Sequence, residues 1–85
     1  MAENKKLLLV DDDRQTVNVL EDYFKTKGYA IITAIDGKFA LDVFRRQKPP
    51  IVLLDMQMPA VNGMEVLRVI RKEVPSTKVI VITGF

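Results

Sequence analysis

The sequence predicts one small α/β domain with a parallel β-sheet, and three features of its pattern support this. Four short apolar runs rich in Val, Ile and Leu alternate with three longer stretches whose apolar residues recur at helical spacing. The runs contain almost no polar residue, as expected of strands buried on both faces of a sheet. The connections between them are long enough only for helices, so the predicted order is β-α-β-α-β-α-β with right-handed crossovers.

The first predicted strand is the apolar run at residues 7–10, which an acidic turn follows. That turn consists of Asp11, Asp12 and Asp13. Either Asp12 or Asp13 can cap the helix predicted over residues 14–27. The apolar residues of this helix are Val17, Leu20, Tyr23 and Phe24.

The second strand and helix occupy the middle of the chain. Gly28 suits the position just after the first helix, where a left-handed backbone is common. Residues 29–35 are rich in β-branched side chains and predict a strand. Asp36 can cap a second helix that runs to about Gln47, where a Pro-Pro pair stops it. Its apolar residues are Phe39, Ala40, Val43 and Phe44.

The third predicted strand, residues 51–54, ends at Asp55. Functional groups in such sheets lie at the carboxyl ends of the strands, so Asp55 is expected at the mouth of a crevice. The loop after it contains Pro59 and Gly63.

The last helix and strand are also predicted from short-range signals. Asn62 and Glu65 have the spacing of a capping box, and Pro75 ends the helix that follows. Its predicted apolar residues are Met64, Leu67, Ile70 and Val74. Residues 78–83, nearly continuous in Val and Ile, form the final strand.

Composition excludes several classes of function. The chain has 85 residues, is 48% hydrophobic and 28% charged, and contains no apolar run of membrane-spanning length. Its formal net charge is +2 with scattered basic residues, so no direct nucleic-acid contact is expected. Without Cys or His, only oxygen ligands remain for a metal, which favours a hard cation. The amino-terminal segment has no long apolar core, so we expect a cytoplasmic protein.

The acidic residues suggest a metal site. If the strand order reverses near the first strand, Asp11 and Asp12 approach Asp55. Like charges at that distance raise one another's pKa unless a divalent cation compensates them. Mg²⁺ fits best, because it combines a few carboxylates with water and phosphate oxygens. Asp55 can then act as a nucleophile toward a phosphoryl group.

Each residue also has a plain structural explanation. Asp12 and Asp13 can be helix caps, Asp55 a turn residue, and Thr83 one more β-branched strand residue. Their combination nevertheless favours a functional site. Acidic residues follow two buried strands, and a hydroxyl follows a third strand at the same end of the sheet.

These motifs together resemble the receiver domain of two-component response regulators. They are LLLVDDD at residues 7–13, LLDMQMP at 53–59, the Asn-Gly pair at 62–63 and VIVITG at 79–84. The resemblance covers essentially all 85 residues. It implies a flavodoxin-like parallel sheet with strand order 2-1-3-4.

The resemblance also implies residue roles. Asp55 is the phosphoacceptor for a phosphohistidine on a sensor histidine kinase, and the domain catalyses its own phosphotransfer rather than acting as an enzyme. Asp12 binds Mg²⁺ (or Mn²⁺) directly, while Asp11 often does so through water. The backbone carbonyl of Gln57 completes the protein ligands, and the Thr83 hydroxyl bonds the phosphoryl group.

Members of the family continue beyond the fourth strand with a helix, a strand and a last helix, and a later lysine pairs with the phosphoryl group. Residues 1–85 are therefore expected to form a single, truncated receiver domain. Its fourth strand should present an exposed apolar edge, which predicts a homo-oligomer formed by strand pairing or by exchange of elements.

Two other functions are weighed beside this one. A phosphatase of the haloacid dehalogenase type would use Asp11 and Asp13 as a D-x-D motif, although Thr16 lies one place late for it. An assembly fragment would keep the acidic pocket without performing phosphotransfer.

Overall fold

A computed structural model describes residues 5–56 and 63–82, and within them seven elements follow the predicted order. The strands are β1 (Lys6–Val10), β2 (Ala30–Ala34), β3 (Ile51–Asp55) and β4 (Lys78–Ile82). The helices are α1 (Arg14–Thr26), α2 (Gly37–Gln47) and α3 (Gly63–Glu73). Among these described residues no helix combines the length and apolar character needed to cross a membrane.

The four strands form one parallel sheet in the order β2-β1-β3-β4, which confirms the predicted order 2-1-3-4. The chain passes from β1 outward to β2 and then returns across β1 to β3. The strand order therefore reverses at β1. The carboxyl ends of β1 and β3 flank this reversal point, where open α/β sheets form their ligand crevices.

Side chains of the central strands alternate between two apolar cores. On one face α2 and α3 bury Phe44 and Ile70 against the sheet. On the other face α1 contributes Val17, with Leu20 and Phe24 packed beside it. Because both faces of β1 and β3 are covered, nearly every residue of these strands is apolar.

Helix ends follow the local chemistry of the sequence. The backbone N–H of Phe39 donates to Oδ1 of Asp36 at 2.7 Å, which confirms Asp36 as the cap of α2. Gly28 has a φ of 90°, a left-handed conformation that glycine adopts without the Cβ clash of other residues. Asp13, rather than Asp12, takes the N-cap position of α1, although its side chain caps no backbone N–H.

Three predictions of apolar helix faces were wrong. Tyr23 of α1, Phe39 of α2 and Met64 of α3 are about half exposed, and Val66 is buried in α3 where the sequence suggested Met64. Tyr23 and Met64 each lie six positions from a buried residue of their helix, which turns them by about 120° around the axis. The Asn62 partner of the predicted capping box lies outside the described residues.

An exposed ion pair joins α2 to α3. Arg45 donates from Nε and Nη2 to the Glu73 carboxylate, with the shortest distance 2.8 Å. The hydrogen bonds from Arg45 hold the pKa of Glu73 below its usual value. The pair links the two helices on one face of the sheet.

β4 lies at an edge of the sheet, because within the described residues it pairs only with β3. Ile80 and Val81 are 47% and 42% exposed. Successive strand residues point to opposite faces, so apolar surface is open on both sides of β4.

Candidate metal centre

The site lies at the carboxyl ends of the two central strands. Asp55 is the last residue of β3, and Asp11 directly follows β1. The parallel register pairs Val10 with Leu54, which sets the next two residues, Asp11 and Asp55, beside each other. Strand pairing therefore holds the backbone of both carboxylates.

Three carboxylates meet at this point. Asp11, Asp12 and Asp55 each place an oxygen within 4.8 Å of the others. Asp11 and Asp55 are only 3% and 9% exposed, whereas Asp12 is exposed. The structure thus brings together the three acids that the sequence singled out, in a cluster that reaches solvent at Asp12.

The cluster is electrostatically costly without a cation. Burial raises the pKa of Asp11 above 3.8, and the charges of Asp55 and Asp12 and a side-chain hydrogen bond with Asp55 raise it further. The backbone N–H of Asp13, which donates to Oδ1 of Asp11 at 2.9 Å, lowers this pKa and opposes the rise. A bound divalent cation would offset the repulsion among the carboxylates.

These donors suit a hard divalent ion. They are all carboxylate oxygens, and the chain contains no His or Cys. Mg²⁺ is typically held by one or two carboxylates and keeps positions for water and phosphate oxygens. Asp11, Asp12 and Asp55 therefore fit Mg²⁺. Gln57 and Thr83, the other predicted site residues, lie outside the described residues.

Asp13 is separate from the metal cluster. Its carboxylate accepts a hydrogen bond from the Thr16 hydroxyl at 2.5 Å, one turn into α1. Asp11 instead has Asp55 as its acidic partner. This arrangement does not favour the D-x-D pairing that a haloacid dehalogenase-type site would need.

Sequence reasoning did not identify the packing role of Gly63. This buried first residue of α3 approaches the backbone just after β3. A Cβ at Gly63 would lie 2.9 Å from the Met56 Cα and 3.0 Å from the Asp55 carbonyl oxygen. Glycine therefore allows α3 to pack directly against the segment that carries Asp55. In the sequence, the Asn62-Gly63 pair indicated the start of a helix but not this close packing.

The chain is similar to one protein family and to several solved structures. The family model described as "Response regulator receiver domain" matches residues 7–85. The response regulator protein TrrA from Thermotoga maritima, solved in complex with Mg²⁺-BeF, is 36% identical. The match covers 95% of this chain and 70% of TrrA, with a TM-score of 0.90. TrrA in complex with the histidine kinase ThkA matches with the same identity and coverage and a TM-score of 0.88.

The match to a second relative covers a smaller share of that protein's length. The signal receiver domain of a putative Luxo repressor protein from Vibrio parahaemolyticus is 30% identical, with a TM-score of 0.86. The match covers 93% of this chain but 61% of that domain. This chain therefore spans less than two thirds of that relative's length.

Proposed function

This chain belongs to the response regulator receiver domain family, and from that membership we propose that Asp55 accepts a phosphoryl group. The observation that carries the proposal is the meeting of Asp11, Asp12 and Asp55 within 4.8 Å at the reversal point of the sheet. Two strands hold the buried carboxylates, and an exposed one opens the cluster to a donor. The TrrA complex with Mg²⁺-BeF supports a magnesium-dependent phosphoryl site.

Phosphotransfer to Asp55 is a single displacement. A carboxylate oxygen of Asp55 attacks the phosphorus atom, the bond from phosphorus to the leaving group breaks in line, and its electron pair departs with that group. Because strand pairing of β3 holds its backbone, Asp55 contributes chiefly through position. Bound Mg²⁺ supplies charge neutralisation of the phosphoryl oxygens.

The remaining roles follow the family motif. Asp12 would bind the metal directly and Asp11 through water, with Mn²⁺ as a substitute for Mg²⁺. The Gln57 carbonyl as a ligand and the Thr83 hydroxyl as a phosphoryl donor rest on the motif match alone. The domain would catalyse its own modification and act as a regulator, without turning over a substrate.

A sensor histidine kinase is the proposed partner. The TrrA complex with the histidine kinase ThkA supports this at 36% identity to the present chain. We also propose that residues 1–85 act as one domain in the cytoplasm. Incubation with a phosphorylated kinase and fractionation of cells expressing the chain would test these two points.

The phosphoacceptor is tested with Mg²⁺ and a small acyl phosphate, followed by mass spectrometry. We expect one phosphoryl group on Asp55, lost in Asp55→Asn and kept in the matched variant Asp13→Asn. A label on Asp11 with donor turnover would instead indicate the phosphatase. Intact Mg²⁺ binding without any label would indicate the assembly fragment.

We further propose that copies of this chain associate through β4. Lys78 N–H donates to Pro50, and the Ile82 carbonyl accepts from Met56 N–H, so these groups face β3. Strand alternation then points the backbone groups of Val81 toward the free edge. Edges of this kind pair with other strands.

Light scattering tests this association. The average mass should rise with protein concentration, and it should rise less in Val81→Lys. A monomer at every concentration would contradict the proposal.

A further inference from the structure

Gly63 occupies a helical position whose backbone does not require glycine. It is the first residue of α3 and is buried. Among the described residues, only Gly28 and Lys48 have a positive φ, so the backbone conformation at Gly63 is open to other residues. Helix propensity alone would favour alanine there. The reason for glycine is therefore the space around it.

That space is taken by the chain just after the proposed phosphoacceptor. A Cβ at Gly63 would lie 2.9 Å from the Met56 Cα and 3.0 Å from the Asp55 carbonyl oxygen. It would also lie 2.9 Å from the Met56 Sδ, which can move by a change of rotamer. The two backbone atoms cannot. A side chain at this position would therefore displace either the start of α3 or the peptide that joins Asp55 to Met56.

The helix α3 cannot retreat freely from this contact. Val66 and Ile70, three and seven residues after Gly63, are 1% and 0% exposed. Both belong to the core that α2 and α3 form with the sheet. Moving the helix outward would open cavities around these side chains, which a close-packed interior resists.

The end of β3 is held less firmly than its middle. Its register with β1 ends at the pair of Val10 with Leu54, whereas β4 still pairs with Asp55. The hydrogen bond after that pair, from the Met56 N–H to the Ile82 carbonyl oxygen, is long at 3.4 Å. The peptide that joins Asp55 to Met56 is therefore the part that a larger residue at the start of α3 would displace.

Such a displacement would move the Asp55 carboxylate within its cluster. Successive side chains of a strand point to opposite faces of the sheet. Leu53 packs in the core under α1 and Met56 in the core under α2 and α3, so Asp55 projects toward the α1 side. α3 thus supports the Asp55 peptide from the face opposite to its carboxylate. That carboxylate has an oxygen within 4.8 Å of those of Asp11 and Asp12.

We propose that Gly63 is a positioning residue for phosphotransfer, an inference that rests on the proposed role of Asp55. The missing side chain lets the start of α3 support the Asp55 peptide directly. This contact fixes the distance of the Asp55 carboxylate from Asp11 and Asp12. Because attack on phosphorus depends on close positioning, a shift of about 1 Å in the carboxylate costs up to about 100-fold in rate.

The rate of Asp55 labelling tests this role. Initial rates are measured on the full chain with acetyl phosphate and saturating Mg²⁺, under conditions in which circular dichroism shows each variant to be folded. We expect Gly63→Ala to lower the rate about tenfold or more. Ile70→Val is the matched control, because it weakens the packing of the same helix about two turns away. It should keep the wild-type rate.

Measurements in trimethylamine N-oxide separate positioning from a loss of stability. This osmolyte strengthens burial and raises the folded fraction of a destabilised variant. We expect the rate of Gly63→Ala, relative to that of the wild-type chain, to stay low in the osmolyte. A rate that recovers together with folding would make Gly63 a purely structural residue and would overturn the proposal.

A second variant identifies the atoms responsible. Met56→Ala removes the Met56 Sδ but leaves the Met56 Cα in place. The double variant Met56→Ala/Gly63→Ala should therefore label as slowly as Gly63→Ala. Recovery of the wild-type rate would assign the clash to a side chain instead of the backbone, and positioning through the Asp55 peptide would be wrong.

Mg²⁺ affinity provides a measurement that does not depend on phosphotransfer. Thermal unfolding over a range of MgCl₂ concentrations should show several-fold weaker binding in Gly63→Ala but not in Ile70→Val, because the Asp55 carboxylate belongs to the cluster. Absence of Asp55 labelling in the wild-type chain would reject the proposed function, and the titration would still decide whether Gly63 positions the carboxylate. Normal labelling and normal Mg²⁺ affinity in Gly63→Ala would overturn the positioning role alone.

Discussion

Gly63 lies so close to Met56 that a Cβ at Gly63 would approach the Met56 Cα to 2.9 Å. The carbonyl oxygen of Asp55 would be 3.0 Å from the same atom. Both neighbours are backbone atoms, which cannot move aside by a change of rotamer. The close contact packs the start of α3 against the segment that follows β3.

Gly63→Ala should therefore destabilise the domain by about 1–3 kcal/mol, as overpacked sites commonly do. Helix propensity alone predicts the opposite sign, a gain of up to about 1 kcal/mol. Urea unfolding decides between them, with Lys72→Ala as a control at an exposed position of α3. Stability equal to or above that of the wild-type chain would show that α3 retreats without cost.

Mg²⁺ should stabilise the fold through Asp12 but not through Asp13. At a concentration of 100 times its dissociation constant, a ligand of the native state adds about 2.7 kcal/mol to the free energy of unfolding. We expect Asp12→Asn to lose most of this gain, because its carboxylate belongs to the cluster. Asp13→Asn should keep it, because Asp13 is engaged by Thr16. Thermal unfolding with MgCl₂ and with EDTA measures the stabilisation by Mg²⁺ in each variant. If the two variants lost this stabilisation equally, Asp13 would belong among the ligands.

Asp11→Asn should change the pH dependence of stability without metal. The folded state raises the pKa of Asp11 above 3.8, so the native chain binds this proton more tightly than the unfolded chain does. The contribution of Asp11 to the free energy of unfolding therefore falls as pH rises from 3.8 through the raised pKa. Asparagine keeps the acceptor for the Asp13 N–H but does not titrate.

We accordingly expect Asp11→Asn to be more stable than the wild-type chain above that pH window, and similar to it below. Urea unfolding in EDTA from pH 4 to pH 8 tests this, with the exposed Asp22→Asn as control. If the wild-type chain and Asp11→Asn had the same slope, Asp11 would not be the group responsible.

Asp36→Ala should cost about 1 kcal/mol, the usual effect of losing a helix cap. Its Oδ1 accepts from Phe39 N–H, and alanine has no acceptor to replace it. Asp42→Ala, at an exposed interior position of the same helix, should cost less. Urea midpoints at neutral pH provide the comparison. A larger cost at Asp42 would mean that its charge matters more to α2 than the cap does.

Local chemistry predicted most element ends but not all helix faces. Asp36 and Gly28 were identified correctly because capping and a left-handed backbone depend on residues near in sequence. Tyr23, Phe39 and Met64 were placed wrongly because several helix faces carry apolar residues. Only packing against the sheet selects which of them is buried. The strand order came from the family resemblance, since periodicity does not distinguish one parallel order from another.

The sequence by itself determined that apolar strands end in aspartates, because buried strands require continuous apolar runs and turns favour acidic residues. The tertiary structure decided what each aspartate does. Asp11 is buried in the cluster and Asp12 is its exposed member, whereas Asp13 immediately precedes α1 and accepts a hydrogen bond from Thr16. These three consecutive aspartates have different environments because the chain turns from strand to helix at this point. The pairing of β1 with β3 then places Asp55, distant in sequence, beside the first two of them.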